Sequence, residues 1–431
     1  MRLPGRIAAA IEILADIETR KRPVSEALKA WGLNNRFAGA GDRAAIGNLV
    51  YDALRRKASH AALMGSESPR ALVLSVVVRE WGNSVDKLVQ IFAGDTHAPE
   101  TITPDEKTAL EARSSDVHLP GHIAADVPEW VAPQLAESFG ENWVEEAQAM
   151  AGRPPLDLRV NSLKSNPDKV SKSLSRFSPE AGPVTPNGLR LAPGTGDSRT
   201  PNVQTDEAYL KGWFEVQDQG SQAVSLLADA RPGEQILDLC AGAGGKTLAM
   251  AAAMNNKGQI FAFDSDRNRL APIYDRLKRN GVRNVQVRPP EPGALDDLVG
   301  KLDRVVIDAP CTGSGTWRRQ PTAKWKLTPE QVAQRVGEQR EILDRGASYV
   351  KPGGALVYIT CSILPDENSR QTAAILERHP DFEAVPGNTL WMKHFSGTKA
   401  RARFSPEGGI LLSPLTTGTD GFYFFMARRR A

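Results

Sequence analysis

Three observations predict a three-part chain that ends in a doubly wound α/β domain. Apolar residues at helical spacing recur through residues 6–94, a shorter mixture of helix and strand patterns occupies 125–225, and beyond Pro232-Gly233 buried strand-like runs alternate with helices. Such alternation argues a mostly parallel sheet covered on both faces. A chain of 431 residues also exceeds what one hydrophobic core usually organises. The expected boundaries are 1–115 for an all-helical domain, 125–225 for a small α+β module and 226–431 for the α/β domain.

The helical patterns come first: RIAAAIEILADIETR, VSEALKAW, a run opened by Asp42 (DRAAIGNLVYDALRRKASHAALM), RALVLSVVVREWG and VDKLVQIFAG. Glu12 and Asp16 interrupt the first of them where a signal peptide would stay apolar, so a cytoplasmic start is expected. In the third, Ile46, Leu49, Val50, Leu54 and Leu63 mark an apolar face, with Arg43, Arg55, Arg56 and Lys57 largely off it; a solvated basic face and an RNA contact both fit that pattern. The polar, proline-bearing stretch 95–120 reads as a linker with one short helix.

A helical pattern from PEWVAPQLAESFGENWVEEAQAMAG then leads into a strand LDLRVNSL, a helix PDKVSKSLSRF and strands GLRLA and GWFEVQD, which together suggest the α+β module. The α/β domain follows as EQILDL, KTLAMAAAM, GQIFAFD, RNRLAPIYDRLKRNG, NVQVR, DRVVIDAP, a long helix around PEQVAQRVGEQREILDRGASYV, and GALVYITC. GFYFFMARRR closes the chain as a last strand with an exposed basic tail.

Composition excludes several classes. No apolar run approaches the roughly 18 residues of a membrane span, so no membrane association is expected. The three cysteines, Cys240, Cys311 and Cys361, form no C-x-x-C pair, which argues against a disulfide framework or a zinc site. Free thiols in a reducing compartment and no bound metal are expected. A net charge of +3 with pI about 8.7 permits a nucleic-acid partner without requiring one.

In an open α/β sheet, ligands bind beyond the carboxyl ends of the strands. EQILDL runs into Cys240-Ala241-Gly242-Ala243-Gly244-Gly245-Lys246-Thr247, where glycines allow a tight turn and a close ligand. Cys240 stands where a P-loop needs glycine, and Thr247 where G-x-G-x-x-G needs its third, so NTPase and dinucleotide readings both weaken. Asp264 ends the second strand 19 residues beyond Gly245, the place of a carboxylate that accepts from ribose hydroxyls. A nucleoside-bearing cofactor fits.

Two further strands end in Asp308-Ala309-Pro310-Cys311-Thr312-Gly313-Ser314-Gly315 and in Thr360-Cys361-Ser362, which brings two thiols to one crevice. One buried cysteine alone would be an inert small hydrophobe. Two on the ligand side suit cytosine, whose carbon 5 is too poor a nucleophile to take a methyl group until a thiolate adds at carbon 6. Asp308 could hydrogen-bond the exocyclic amine or ring nitrogen as charge develops. Lys246 either supplies positive charge beside the thiols and the cofactor's carboxylate or faces water.

Read together, DLCAGAGGKT, DAPCTGSG and TCS followed by Pro365-Asp366-Glu367-Asn368 resemble the RsmB/Sun family of RNA cytosine-5 methyltransferases. VQDQGSQ, LRVNSL and GTDGFYFF extend the resemblance over residues 125–431. It implies a Rossmann-like class I methyltransferase domain, an RNA-binding role for the α+β module, a NusB-like N-terminal domain and S-adenosyl-L-methionine as cofactor. It also implies that Cys361 is the nucleophile, that Cys311 assists release by helping to remove the carbon-5 proton, and that Asp308 serves at the methyl-transfer site. The loop Cys240, Ala241, Gly242, Ala243, Gly244, Gly245, Lys246, with Asp264 and Asp308, would then hold the cofactor. Spacing does not assign the two thiol roles.

The sequence departs from the family's pattern in three places. The loop has Gly242-Ala243 where alanine-proline is usual. The third strand lacks its aspartate, leaving Glu291 as the nearest acid and the adenine contact open. WRRQPTAKWKL lacks an aspartate after its proline but offers Arg318, Arg319, Lys324 and Trp325 for phosphate and base contacts, or as a solvated loop. The expected activity is cytosine-5 methylation of RNA, with small-subunit (16S) rRNA as substrate and the protein a monomer. The alternatives are a transfer-RNA cytosine-5 methyltransferase, a non-catalytic RNA-binding assembly factor on the same fold, and a nucleotide-binding enzyme of another class.

Overall fold

The computed structural model describes residues 1–112 and 118–431. The expected end of the helical domain, residue 115, lies outside the described residues. The chain divides into two compact units, one comprising Met1–Pro154, Pro193–Pro201 and Trp317–Lys326, the other Pro155–Ala192, Asn202–Thr316 and Leu327–Ala431.

The first unit is helical. Leu3–Arg20 buries Ile7, Ala10, Ile13, Leu14 and Ile17, the spacing of one helix face. Pro69–Arg79, capped by the Ser68 hydroxyl, is buried at every position from Ala71 to Val77 and forms the centre of the bundle. The run opened by Asp42 is two helices, Ala40–Arg55 and Lys57–Met64, broken at Arg56. Asp126 accounts for the break. Its buried carboxylate accepts from the Ser59 N–H at 2.9 Å and the Ser59 hydroxyl at 2.7 Å, capping a fresh helix start. Arg55 is not on a solvated face: it is buried and pairs with Asp52, which also accepts from Trp81 Nε1 and from Arg153. These contacts carry the helical unit on to Pro154, beyond the expected linker, which itself contains the helix Pro104–Glu111. Among the described residues no single helix is long and apolar enough to cross a membrane.

The second unit holds two sheets. The smaller contains β1 (Leu156–Val160), β2 (Glu180–Ala181), β3 (Gly188–Leu191) and β4 (Phe214–Val216) in the order β2-β3-β1-β4, all antiparallel. Leu158, Val160, Leu189, Leu191 and Phe214 pack with Val170 and Leu174 as its core.

The larger sheet contains β5 (Gln235–Asp238), β6 (Gln259–Ala262), β7 (Val285–Val287), β8 (Leu302–Asp308), β9 (Val350–Thr360), β10 (Phe382–Ala384), β11 (Arg403–Phe404), β12 (Ile410–Leu412) and β13 (Phe422–Arg429). Its order is β11-β12-β13-β9-β8-β5-β6-β7, with β10 on β13; β9, β8, β5, β6 and β7 run parallel and β13 is antiparallel to β9. The parallel strands are apolar along their length because both faces are covered: Ile236, Val306, Val357 and Ile359 pack to one side, Leu237, Val305, Ile307 and Tyr358 to the other. This is the Rossmann-like architecture the alternation predicts. Register places Asp238 beside Val306, and Asp308 beside Ile359, so the carboxyl ends of β5, β8 and β9 open onto one edge.

Candidate active site

The turn after β5 is built by glycines. Gly242 and Gly244 have φ of +50° and +82°, and a Cβ on Gly244 would come within 2.6 Å of Ile273 Cγ1. At Gly242 the nearest atom to such a Cβ is 3.6 Å away, so the backbone here is open to a ligand. Asp264, 2% exposed, accepts from the Gly242 N–H at 2.9 Å through Oδ2 and from the Asp266 N–H at 2.9 Å through Oδ1. The second-strand carboxylate therefore shapes the loop, and each of its oxygens keeps a lone pair for another donor.

Lys246, in the first turn of the helix Gly245–Ala253, does not face water. It is 7% exposed and its Nζ lies 2.6 Å from Asp308 Oδ2 at the end of β8. An ion pair thus connects the loop to the end of β8, the strand that leads to Cys311. Next to it, Thr247 Oγ1 donates to Asp238 Oδ2 at 2.6 Å, while Asp238 Oδ1 is buried without a partner among the described residues.

Burial pushes the Asp238 carboxyl up to about 7. Between the ordinary value of 3.8 and about 7 the folded protein then holds a proton that the unfolded chain has lost, so this group's contribution to stability falls as pH rises and is fully unfavourable above about 7. An Asp238→Asn variant is expected to gain on the wild type across that window, by on the order of a few kcal/mol at its upper end. Urea unfolding of both proteins at several pH values checks this; parallel stability profiles would sink it.

The two strand-end thiols meet. Cys311 Sγ and Cys361 Sγ are 3.3 Å apart although 50 residues separate them. The loops that carry them are cross-linked: the Gly315 N–H donates to Cys361 O at 2.9 Å, the Ser314 and Ser362 hydroxyls are 2.9 Å apart, and the Ile363 N–H donates to Ser314 Oγ at 2.9 Å. A Cβ on Gly315 would lie 2.1 Å from Gly421 O, so glycine is required where the GTDG turn before β13 closes on this loop. The Cys311 thiol is raised well above its ordinary range, first by its hydrogen bond with Cys361, then by burial and by the charges of Cys361 and Glu367. Cys240 stands apart from the pair; burial, followed by Asp238, Asp264 and Asp308, pushes its thiol up as well.

Glu367 is a site residue the sequence reading missed as such. Fully buried, it accepts from the Thr312 N–H at 2.8 Å, the Thr312 hydroxyl at 2.6 Å and Gln339 Nε2 at 3.0 Å, and Gln339 also donates to Pro310 O at 2.9 Å. It thereby anchors Thr312 directly and Pro310 through Gln339. The run PDEN after TCS was its only sequence signal.

The segment 317–326 corrects an expectation. Arg318 and Lys324 are buried in the helical unit; Lys324 Nζ donates to Arg55 O at 2.8 Å, Trp325 Nε1 to Leu54 O at 2.7 Å, and Arg55 Nε to Arg318 O at 2.7 Å. Burial lowers the Lys324 ammonium to about 8. Arg318, Lys324 and Trp325 are docking contacts of this segment on helices, and Arg319 and Trp325 are partly exposed. Glu291, beyond β7, is exposed.

The family model described as 16S rRNA methyltransferase RsmB/F matches residues 225–428, and that of the RsmF/B-like ferredoxin-like domain matches residues 127–195. Among curated relatives, Ribosomal RNA small subunit methyltransferase B of Klebsiella pneumoniae is 36% identical over 308 residues, 70% of this chain and 66% of the relative. The chain spans between 58% and 66% of the length of the curated relatives it matches. Of solved structures, PH0851 superposes with a TM-score of 0.72 at 25% identity, covering 100% of this chain and 99% of that one. A methyltransferase homolog protein from Pyrococcus horikoshii gives 0.59 at 29% identity, covering 72% and 97%. With the glycine loop, the paired strand-end thiols and the sheet order all in place, the chain belongs to the RsmB/F methyltransferase family.

Proposed function

We propose that the protein transfers a methyl group from S-adenosyl-L-methionine to carbon 5 of a cytosine in RNA, with small-subunit rRNA as substrate and a covalent Cys361 adduct on the way. The observation that carries this reading is the Cys311–Cys361 pair, 3.3 Å apart on the loops that follow β8 and β9, with the Lys246–Asp308 ion pair at the end of β8. Thiols so placed suit a reaction that needs one sulfur to add and a second group to assist elimination.

The loop residues fit the cofactor. Gly242 leaves open backbone, Asp264 offers acceptors of the kind a ribose requires, and the first-turn N–H groups of the helix Gly245–Ala253 suit a carboxylate. When bound, the cofactor supplies an electrophilic methyl group on sulfonium sulfur. Cys361 Sγ, as the thiolate, bonds to carbon 6 of the base, and the electron pair of the 5,6 double bond moves to carbon 5, which takes the methyl group. Asp308, its orientation set by Lys246, accepts from the exocyclic amine and so orients the ring for addition. After carbon 5 is methylated, Cys311 assists removal of its proton; that electron pair restores the double bond and the pair of the C6–S bond returns to Cys361.

Methyl-labelled S-adenosylmethionine incubated with the full chain and under-methylated small-subunit RNA is expected to give label in 5-methylcytidine. Label only when transfer RNA is supplied would move the substrate assignment. Cofactor and RNA binding with no label in any RNA would favour an assembly factor.

A further inference from the structure

Two arginines hold the cofactor loop from outside the large sheet. Arg159, on β1, donates through one guanidinium nitrogen to Gly245 O and to Gln217 Oε1, each at 2.7 Å. Arg276 donates to Ala243 O at 2.7 Å and to Glu215 Oε2 at 2.9 Å. Glu215 is 2% exposed, sits opposite Arg159 in the β1–β4 register, and also takes Arg279 and Asn280 Nδ2, the latter at 2.6 Å. The two bonded carbonyls lie either side of Gly244, the left-handed residue on which the turn depends.

Because the peptide unit is planar, fixing a carbonyl fixes the direction of the next residue's N–H. Arg276 thereby fixes the Gly244 N–H, which closes the turn onto Ala241 O at 2.8 Å. Arg159 fixes that of Lys246, a first-turn donor with no intrahelical acceptor. A guanidinium beside a helix N-terminus opposes the helix dipole, so this contact does not serve the helix's own stability. Desolvation lowers Arg159 only to about 10, which leaves it cationic at neutral pH.

We propose that Arg159, on the small sheet, and Arg276, set by Glu215 of that sheet, are positioning residues that fix the loop 241–246 in the form that receives the cofactor. The inference rests on the proposed cofactor reading and adds to it that the small sheet, besides any RNA contact, builds the cofactor site.

The test uses the full chain, with S-adenosylhomocysteine as calorimetric probe. Arg159→Met and Arg276→Met should each weaken binding about 10-fold or more and raise KM for S-adenosylmethionine similarly, with kcat within about threefold and RNA affinity within about twofold. Arg159→Lys, which keeps the charge and one bond, should recover most of the loss. Probe binding by the methionine variants equal to wild type would overturn the inference alone. Parallel loss of probe and RNA binding, without recovery in Arg159→Lys, would reduce the arginines to structural residues and overturn it too. No probe binding by wild type would overturn the cofactor reading, and the inference with it. Should Arg159→Met fail to fold, Glu215→Gln decides: binding about threefold weaker supports the hold on the loop, unchanged binding overturns it.

Discussion

Cys361→Ala is expected to slow methyl transfer by on the order of 10³-fold or more while leaving cofactor binding intact. The chemistry sets the size of the loss. Carbon 5 of cytosine does not attack a sulfonium methyl at a useful rate until a nucleophile has added at carbon 6, so the variant loses the step that creates the reactive species rather than one contact to it. Cys311 is no substitute. Although its sulfur is only 3.3 Å from that of Cys361, Cys311 sits on a different loop, which Glu367 anchors through Thr312. Single-turnover label transfer measures the loss, and calorimetry with S-adenosylhomocysteine shows that the site is otherwise whole. Residual activity above a tenth of wild type would remove the nucleophile's role from Cys361.

What the sequence made legible follows from how local each signal is. The buried strands β5, β8 and β9 announce themselves as short apolar runs, and the residues immediately beyond them, Gly242 to Lys246, Asp308 and Cys361, inherit their place from strand direction alone. The approach of the two sulfurs needed the register of β8 on β9, which pattern reading does not supply. Glu367, Arg159 and Arg276 were out of reach for the same reason, since each acts through acceptors or donors far along the chain. The segment 317–326 was misread because basic and aromatic residues serve two ends equally well. Leu54 and Arg55 end a helix whose last carbonyls lack intrahelical donors, and the Trp325 indole and the Lys324 ammonium fill them, a cation at the negative end of the helix dipole. Composition cannot distinguish such an acceptor from a phosphate.

Cys311→Ala should show the opposite phenotype to Cys361→Ala: methyl transfer in the first turnover, then arrest as a covalent protein–RNA complex. The argument turns on what raises the Cys311 thiol. The leading cause is its hydrogen bond with Cys361, and the charge of Cys361 adds to it. Once the Cys361 sulfur is bonded to carbon 6, that acceptor and that charge are gone, and the Cys311 pKa must fall. The thiol held protonated during attack then gives up its proton to solvent more readily, and the resulting thiolate takes the carbon-5 proton within the loops that Ser314, Ser362 and Glu367 hold together. Removing it should leave addition nearly untouched and slow elimination by on the order of 10²-fold, the usual contribution of a positioned general base. A denaturing gel is expected to show an RNA-shifted band for Cys311→Ala, about one methyl group per trapped protein, and no such band for the double variant with Cys361→Ala. A trapped complex from Cys361→Ala instead would exchange the roles of the two thiols, and full multiple turnover by Cys311→Ala would assign the carbon-5 proton to another base.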